Sequence, residues 1–177
     1  MNNMDYFILE QKENMSNAVK LLAEADNPLE RKQVLTKEQA KDINELSRIY
    51  VLGDGDSIYP AIIDTPVFLV SDTVKKLLQL YEDSLIFKCT VLANKEGSQV
   101  VYWLTLMDEV NCLSSASEFT KDGSLKKLVI DKEKLQGRKI FRVGGVREKL
   151  VVINQDIAES LLRRFLLGIQ LTAIESI

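Results

Sequence analysis

Between residues 67 and 92, the pattern of apolar and polar positions changes from an extended to a helical period and back. Residues 67–70 form a short apolar run, and Ser71 follows as a helix N-cap with Asp72 in the first turn. Apolar residues then recur at i, i+3, i+4 and i+7, at Val74, Leu77, Leu78 and Tyr81. This spacing predicts a short amphipathic helix, and residues 86–92 predict the strand after it.

The C-terminal part of the chain repeats this order. The apolar run 151–153 leads to Asn154, which has the position of a second N-cap. The helical apolar face after it comprises Ile157, Leu161, Leu162 and Phe165. Gly168 is expected to end this helical segment, and residues 169–174 alternate as a strand.

Between these two units, apolar runs separated by polar turns predict two β-hairpins. The first turns at residues 94–97, and the second is expected to turn at Asp122 and Gly123. The strands predicted for this region are 86–92, 100–106, 125–130, 140–143 and 150–153.

Residues 1–58 have a less regular pattern. Tyr6 and Ile8 indicate a short strand, and residues 49–52 indicate another, which a polar turn at 53–56 ends. Two helices are also predicted in this region. Ser16 is expected to cap the first, which contains Val19, Leu22 and Ala23 and ends at Asn27 and Pro28. A capping box of Thr36 and Gln39 is expected to open the second, with Ala40, Ile43 and Leu46 on one side.

This order of elements predicts an α+β fold. We expect a mostly antiparallel sheet with the two short amphipathic helices packed on one side, preceded by a helical N-terminal region. A length of 177 residues suits one domain. We therefore predict a single domain, 1–177, in which residues 1–58 are a lead-in and residues 59–177 form the α+β core.

Composition indicates a globular cytoplasmic protein. The sequence is 46% hydrophobic and 28% charged, which distinguishes it from a disordered chain. No apolar run approaches the ~18 to 20 residues that cross a bilayer, and the apolar stretch 6–9 is too short for a signal peptide. Cys89 alternates with Phe87 and Val91, and we expect it to be a buried, inert thiol on the inner face of its strand.

The absence of histidine excludes several kinds of active site. Without histidine the chain cannot form a Ser-His-Asp or Cys-His nucleophile system or a zinc site with histidine ligands. Two cysteines are too few for a zinc site made of cysteine alone. Carboxylate and lysine chemistry remain possible, but we predict that the protein is not an enzyme and has no metal or cofactor.

Three short segments have some features of functional sites but favour structural roles. The 53–57 segment (GDGDS) begins like a calcium loop, but Ile58 and Thr65 stand at positions where that loop needs ligands, so a polar turn is predicted. Asp108 and Glu109 are adjacent on a strand and are expected to point to opposite faces. The 143–146 segment (VGGV) lacks the spacing of a phosphate-binding loop and predicts a tight turn.

Positive charge is concentrated in residues 121–149, which hold ten basic and four acidic residues against a net charge of −3 for the whole chain. This segment could steer a charged partner, or its lysines and arginines could occupy solvent-facing strands. Single-strand nucleic-acid binding needs several stacking aromatics. Phe141 is the aromatic residue of the segment, and Tyr102 and Trp103 are adjacent and face opposite sides, so we predict no nucleic-acid partner.

Four blocks of the region 59–177 carry a family resemblance. They are 59–72 (YPAIIDTPVFLVSD), 102–104 with 110–113 (YWL, VNCL), 128–135 with 140–142 (LVIDKEKL, IFR), and 151–154 (VVIN) with Gly168 and Ile169. In order and spacing they resemble an immunity-protein family of bacterial polymorphic toxin systems, formerly a domain of unknown function. Asn111 departs from the family pattern, which has an acidic residue at that position.

The resemblance implies a non-enzymatic, cytoplasmic protein that binds and inhibits a cognate toxin encoded by a neighbouring gene. It identifies no toxin-contacting residue. We expect the acidic part of the chain to face a basic toxin, and the alternative is that residues 121–149 face an acidic one. A small-ligand-binding or regulatory domain is the alternative function, and it predicts an apolar cavity between the sheet and the two helices. An enzyme that uses Asp, Glu or Lys is a third hypothesis, for which no site can be named.

Overall fold

The computed structural model describes residues 5–22 and 36–177, and all the elements of the fold below lie in those ranges. The strands are β1 (Tyr6–Gln11), β2 (Lys20–Leu21), β3 (Leu46–Leu52), β4 (Ile62–Ile63), β5 (Leu69–Ser71), β6 (Ile86–Ala93), β7 (Gln99–Leu106), β8 (Glu109–Val110), β9 (Glu118–Phe119), β10 (Leu125–Lys127), β11 (Val129–Ile130), β12 (Ile140–Val143), β13 (Val151–Asn154) and β14 (Ile169–Ser176). The helices are α1 (Asp72–Tyr81) and α2 (Gln155–Leu162), with 3₁₀ helices at Lys37–Asp42 and Lys132–Leu135.

The strands form two six-stranded sheets and one separate hairpin. The first sheet has the order β2-β3-β6-β7-β5-β4, the second has the order β11-β14-β1-β13-β12-β8, and β9 pairs with β10. Three pairs are parallel, namely β3 with β6, β8 with β12 and β11 with β14. The fold is therefore α+β, as predicted, but the strands form two mixed sheets rather than one sheet: most strand pairs are antiparallel, and each sheet contains at least one parallel pair. β1 belongs to the second sheet, where it pairs antiparallel with β13 and β14, strands more than a hundred residues away.

Both α-helices begin at the predicted caps. The Ser71 side chain accepts a hydrogen bond from the backbone N–H of Val74 (3.4 Å), and the Asn154 side chain accepts one from Ile157 (3.1 Å). These bonds satisfy backbone donors that have no partner inside the helix. The two helices contact each other, and the Tyr81 and Ser160 hydroxyls are 2.5 Å apart.

The predicted apolar face of the second helix is too long. α2 ends at Leu162, whose side chain is 65% exposed, and Phe165 is 93% exposed. Phe165 has a positive φ of 49°, so the chain has already left the helical conformation there. Ile157 and Leu161 are buried as expected.

The first of the predicted N-terminal helices is absent as far as Leu22. Ala18 forms a parallel bridge to Ile58, and β2 pairs antiparallel with β3. Pairing with a distant strand therefore overrides the local helical spacing. The remaining part of that predicted helix, 23–28, lies outside the described residues.

The capping box of the second N-terminal helix is confirmed, but the helix is short. The Gln39 side chain accepts a hydrogen bond from the backbone N–H of Thr36 at 2.9 Å. The helix is of the 3₁₀ type and ends at Asp42, whereas Leu46 already belongs to β3.

The first predicted hairpin is confirmed and the second needs a correction. β6 and β7 pair through eight residues around the turn at 94–97. The turn at Asp122 and Gly123 joins β9 to β10, but the expected strand 125–130 is divided. The second part of the expected strand is β11, which pairs parallel with the last two residues of the C-terminal strand β14, Glu175 and Ser176.

The buried apolar side chains form three clusters, because successive side chains of a strand point to opposite faces of its sheet. The first lies between the helices and both sheets and includes Leu9, Val70, Leu77 and Ile157. The second lies on the other face of the first sheet, and the third lies on the other face of the second sheet around Phe141. Each sheet therefore has one face toward α1 and α2 and one face away from them.

Candidate functional site

Helix α1 covers only part of the first sheet on its own side. It contacts β5 and β7, and the Lys75 ammonium lies 3.4 Å from the ring centroid of Trp103 and 5.8 Å from that of Phe87. Phe87 and Trp103 pack partly against the first core cluster. Beyond them, the same face of β3, β6 and β7 is left accessible to solvent.

Register places apolar side chains next to one another across this accessible area. Leu46 on β3 lies opposite Cys89 on β6, which lies opposite Trp103 on β7. The next row is formed by Arg48, Val91 and Val101. We call this area the open sheet face and define it by Leu46, Arg48, Tyr50, Leu52, Cys89, Val91 and Val101.

The open sheet face is unusually apolar for an accessible surface. The exposed fractions are 62% for Leu46, 42% for Tyr50, 52% for Leu52 and 47% for Val101. From strand spacing and rise, the face measures roughly 20 Å by 14 Å, or about 300 Å². Contiguous apolar patches of this order on a protein surface are often functional. The arrangement can bind a complementary apolar surface, with Arg48 on its β3 side to pair with a carboxylate.

Strand β3 contains a sequence signal for this face that our predictions missed. Within β3, Ile49 and Val51 are buried, as one face of a strand should be, but three of the four alternate positions, Leu46, Tyr50 and Leu52, are apolar, and only Arg48 is polar. A strand with apolar residues on both faces needs two covers. In the part of the chain that the structure describes, only one of them is present.

The two cysteines have different environments, and the expectation for Cys89 was wrong. Cys89 lies on the open sheet face and is only half-buried, whereas Cys112 is completely buried. Burial raises the pKa of the Cys112 thiol to about 11. Both thiols are free.

This difference predicts selective alkylation of the native protein. Iodoacetamide should modify Cys89 readily and Cys112 only as fast as the protein unfolds, because the thiolate is the reactive species and Cys112 is both enclosed and protonated. Peptide mass spectrometry over a time course measures both rates. Equal rates in the folded protein would contradict this assignment, and equal rates in denaturant are the control.

The adjacent carboxylate residues Asp108 and Glu109 both line one small cavity. Asp108 forms ion pairs with Lys37 (3.2 Å) and Arg138 (3.4 Å) at the rim of a cavity of about 240 Å³. Glu109 is exposed and lies against Gly144. The contacts of the two side chains differ, but because both residues line the cavity, the expectation that they point to opposite faces stays a prediction.

The other two candidate segments are turns. In 53–57, Asp54 accepts hydrogen bonds from the backbone N–H of Asp56 (3.1 Å) and the Ser57 hydroxyl (3.1 Å), which closes the predicted polar turn. In 143–146, Gly145 has a positive φ of 78°, which glycine adopts readily in a turn. In the described part of the chain, no three Cys, Asp or Glu side chains are grouped to hold a metal ion.

The basic residues of 121–149 are spread over several elements, and many are paired. Lys126 pairs with Glu118 (2.7 Å) and Lys127 with Glu175 (2.8 Å), while Arg138 pairs with Asp108. Phe141 is completely buried and cannot stack on a base. Tyr102 and Trp103 face opposite sides of β7, and the buried Tyr102 hydroxyl donates to the carbonyl of Pro60 at 2.5 Å.

A polar groove of about 720 Å³ lies where β1 ends, and residues 10–16 and 18–20 line it together with Asp64 and Thr65. The Asp64 carboxylate accepts a hydrogen bond from the backbone N–H of Gln11 at 2.8 Å. Burial, together with the nearby charges of Asp64 and Glu13, raises the pKa of Glu10. None of the lining side chains comes from α1 or α2.

Glu10→Gln should therefore stabilise the protein at neutral pH. Folding raises the pKa of Glu10, so the charged carboxylate destabilises the folded state. This destabilisation is present at pH values above the folded pKa, and it disappears as the pH falls and the carboxyl becomes protonated in both states. The melting temperature of the variant should exceed that of the wild type at neutral pH, and the difference should disappear in acid. A difference that is constant with pH would show that charge is not the cause.

Comparison with known proteins adds no relationship. No model of a known protein family matches the sequence, and no curated protein matches it. Within the described ranges, none of the helices is long and apolar enough to cross a bilayer. A function for the open sheet face therefore rests on its geometry.

Proposed function

We propose that this protein is a non-enzymatic immunity protein that binds and inhibits a cognate bacterial toxin through the open sheet face. The observation that carries the proposal is the register of exposed apolar side chains across β3, β6 and β7. Such a surface is costly in water and is retained where a partner covers it. The protein would act in the cytoplasm, without a cofactor and without contact with a membrane or a nucleic acid.

The position of the open sheet face relative to the family resemblance supports this role. The resembling blocks supply β4, β5, most of the β12–β13 pair and both helix caps, which are scaffold elements. The β3 side chains of the open sheet face lie at 46–52, outside the resembling region 59–177. In a family whose members inhibit different toxins, the contact surface is expected to be specific to each member.

Size and charge indicate the chemistry of the partner. A stable interface buries about 800 Å² on each partner, so a face of about 300 Å² would be its apolar centre, surrounded by a polar rim. Arg48 lies within the face and Lys75 lies beside it. We therefore propose a toxin surface with an apolar patch and at least one carboxylate, rather than the basic surface suggested by the acidic character of most of the chain.

The test is co-expression with the product of the neighbouring gene. That product should arrest growth when expressed alone, and the wild-type protein should restore growth. Purified together, the two should form a stable complex. If the neighbouring product is harmless alone, or remains lethal beside this protein, the proposal fails.

The alternative of a small-ligand-binding domain has less support. It predicts an apolar cavity between the sheet and the two helices, but that space holds the packed side chains of the first core cluster, including Val74, Leu78 and Ile157. The groove of about 720 Å³ lies elsewhere and is lined largely by polar and charged residues. No observation on the described residues favours a small-molecule ligand over a protein partner.

A further inference from the structure

We propose that Arg142 and Lys149 form a binding site for an oxyanion, a carboxylate or phosphate group, at the edge of the second sheet. This inference is independent of the proposed immunity function, because it rests on residues outside the open sheet face. Both residues belong to the basic segment 121–149, whose role the proposed function leaves unassigned.

The first observation is a buried arginine with an unsatisfied donor. Arg142 on β12 is only 6% exposed, and its Nε atom is enclosed without a hydrogen-bond partner among the described residues. Burial lowers the pKa of Arg142, yet an arginine in a protein keeps its charge at neutral pH. A buried charge with an unsatisfied donor costs more than a buried apolar side chain of the same size. A ligand that accepts a hydrogen bond from Nε would explain why an arginine occupies this buried position.

The nearby carboxylates leave this donor free. Asp108 is already paired with Lys37 and Arg138. Glu109 lies opposite Arg142 in the register of β8 and β12, and its charge favours the charged form of the arginine. Nevertheless, Nε has no partner in the described ranges, and Glu109 itself is exposed.

The second observation is a like charge on the same face of the β12–β13 hairpin: Arg142 pairs with Val151, and Lys149, two residues before Val151, lies diagonally across from Arg142. Lys149 is half-buried, and its ammonium donates to the carbonyl of Pro66 at 3.4 Å. Burial and the charge of Arg142 both lower the pKa of Lys149. Two partly desolvated cations repel each other, and an anion bound between them would remove the repulsion and supply acceptors to both.

The chemistry of the two side chains defines the ligand class. A guanidinium presents a planar fork of donors that matches two oxygens of a carboxylate or phosphate, and an ammonium adds a point charge. The oxyanion could come from a glutamate or aspartate side chain of another protein or from a free small molecule. The two sources share this chemistry and differ in the probe that binds.

Nitrogen NMR of arginine side chains can observe the site directly. The Nε–H signal of Arg142 should be slow to exchange because it is enclosed, and it should shift saturably on addition of inorganic phosphate or of the blocked tripeptide acetyl-Gly-Glu-Gly-amide at constant ionic strength. A response to phosphate alone indicates a free small oxyanion, and a response to the peptide indicates a protein carboxylate. If neither probe shifts the signal more than sodium chloride does, the proposal is overturned.

Three variants separate binding from a structural role. The affinity of each variant for the probe is measured by calorimetric titration, because Arg142→Met and Arg142→Lys lack the Arg142 signal. Arg142→Met should abolish binding of the probe without lowering the melting temperature in chloride, since it removes a buried charge with an unsatisfied donor. Arg142→Lys keeps the charge but not the fork, and it should bind the effective probe roughly tenfold more weakly. The matched control Arg138→Met removes a paired arginine of the same segment and should leave the Arg142 response intact.

Two outcomes would assign Arg142 to the fold instead. One is that Arg142→Met and Arg142→Lys both unfold or melt well below the wild type without added anion. The other is that Arg142→Lys binds the probe as tightly as the wild type, which would show that the planar donors of the guanidinium do not contribute to binding.

Discussion

Gly168→Ala should lower the free energy of unfolding by roughly 2 to 4 kcal/mol, since it combines backbone strain with overpacking. Gly168 has a φ of +78°, which glycine adopts readily and alanine does not. A Cβ atom there would also lie 2.6 Å from Cβ of Pro60 and 2.9 Å from Sδ of Met15. The neighbouring backbone has little freedom to move, because Lys12 donates a hydrogen bond to the Gly168 carbonyl at 2.8 Å.

Gly97→Ala is the matched control for this substitution. Gly97 has a φ of +89°, but no described atom lies within 4 Å of the position its Cβ would take. It should therefore lose only the backbone contribution, about 1 kcal/mol. Urea denaturation of the three proteins measures the difference. Equal losses for both substitutions would show that the contact with Pro60 does not restrict position 168.

Val101→Lys should weaken binding of the cognate toxin by roughly a hundredfold or more while leaving the fold intact. Val101 is 47% exposed in the free protein, so a lysine there can extend into solvent. In the complex its charge would be buried within an apolar interface, in the same cross-strand row as Arg48. A buried charge without a partner is among the most costly changes at an interface.

Leu162→Lys provides the control for that experiment. Leu162 is an equally accessible apolar residue, 65% exposed, but it lies at the end of α2 and outside the open sheet face. Calorimetric titration of the toxin should give the wild-type affinity for Leu162→Lys. If the two lysine variants lose affinity equally, or if neither does, the toxin does not bind where we place it.

Local signals were sufficient to predict much of the secondary structure. Ser71 and Asn154 mark the starts of α1 and α2 because an N-cap depends on residues only three positions away. The turn at 94–97 and strand β12 were also predicted correctly, since a hairpin turn and a short apolar run are local features.

Long-range pairing accounts for the errors. β2 forms where a helix was expected because β3, about thirty residues later in the chain, pairs with it. The division of the strands into two sheets depends on β1, whose partners are at the opposite end of the chain. The Arg142 site likewise needs β8 beside β12 and Lys149 folded back toward Pro66. Neither juxtaposition has a signature at short sequence separation.

Protection of Cys89 is the measurement that bears on the proposed interface without any substitution. Cys89 lies in the open sheet face beside Leu46 and Trp103, while Cys112 is enclosed in the third core cluster. In the complex with the neighbouring gene's product, alkylation of Cys89 should slow by at least an order of magnitude, and alkylation of Cys112 should not change. A stable, inhibitory complex in which Cys89 reacts as fast as in the free protein would show that the toxin binds elsewhere.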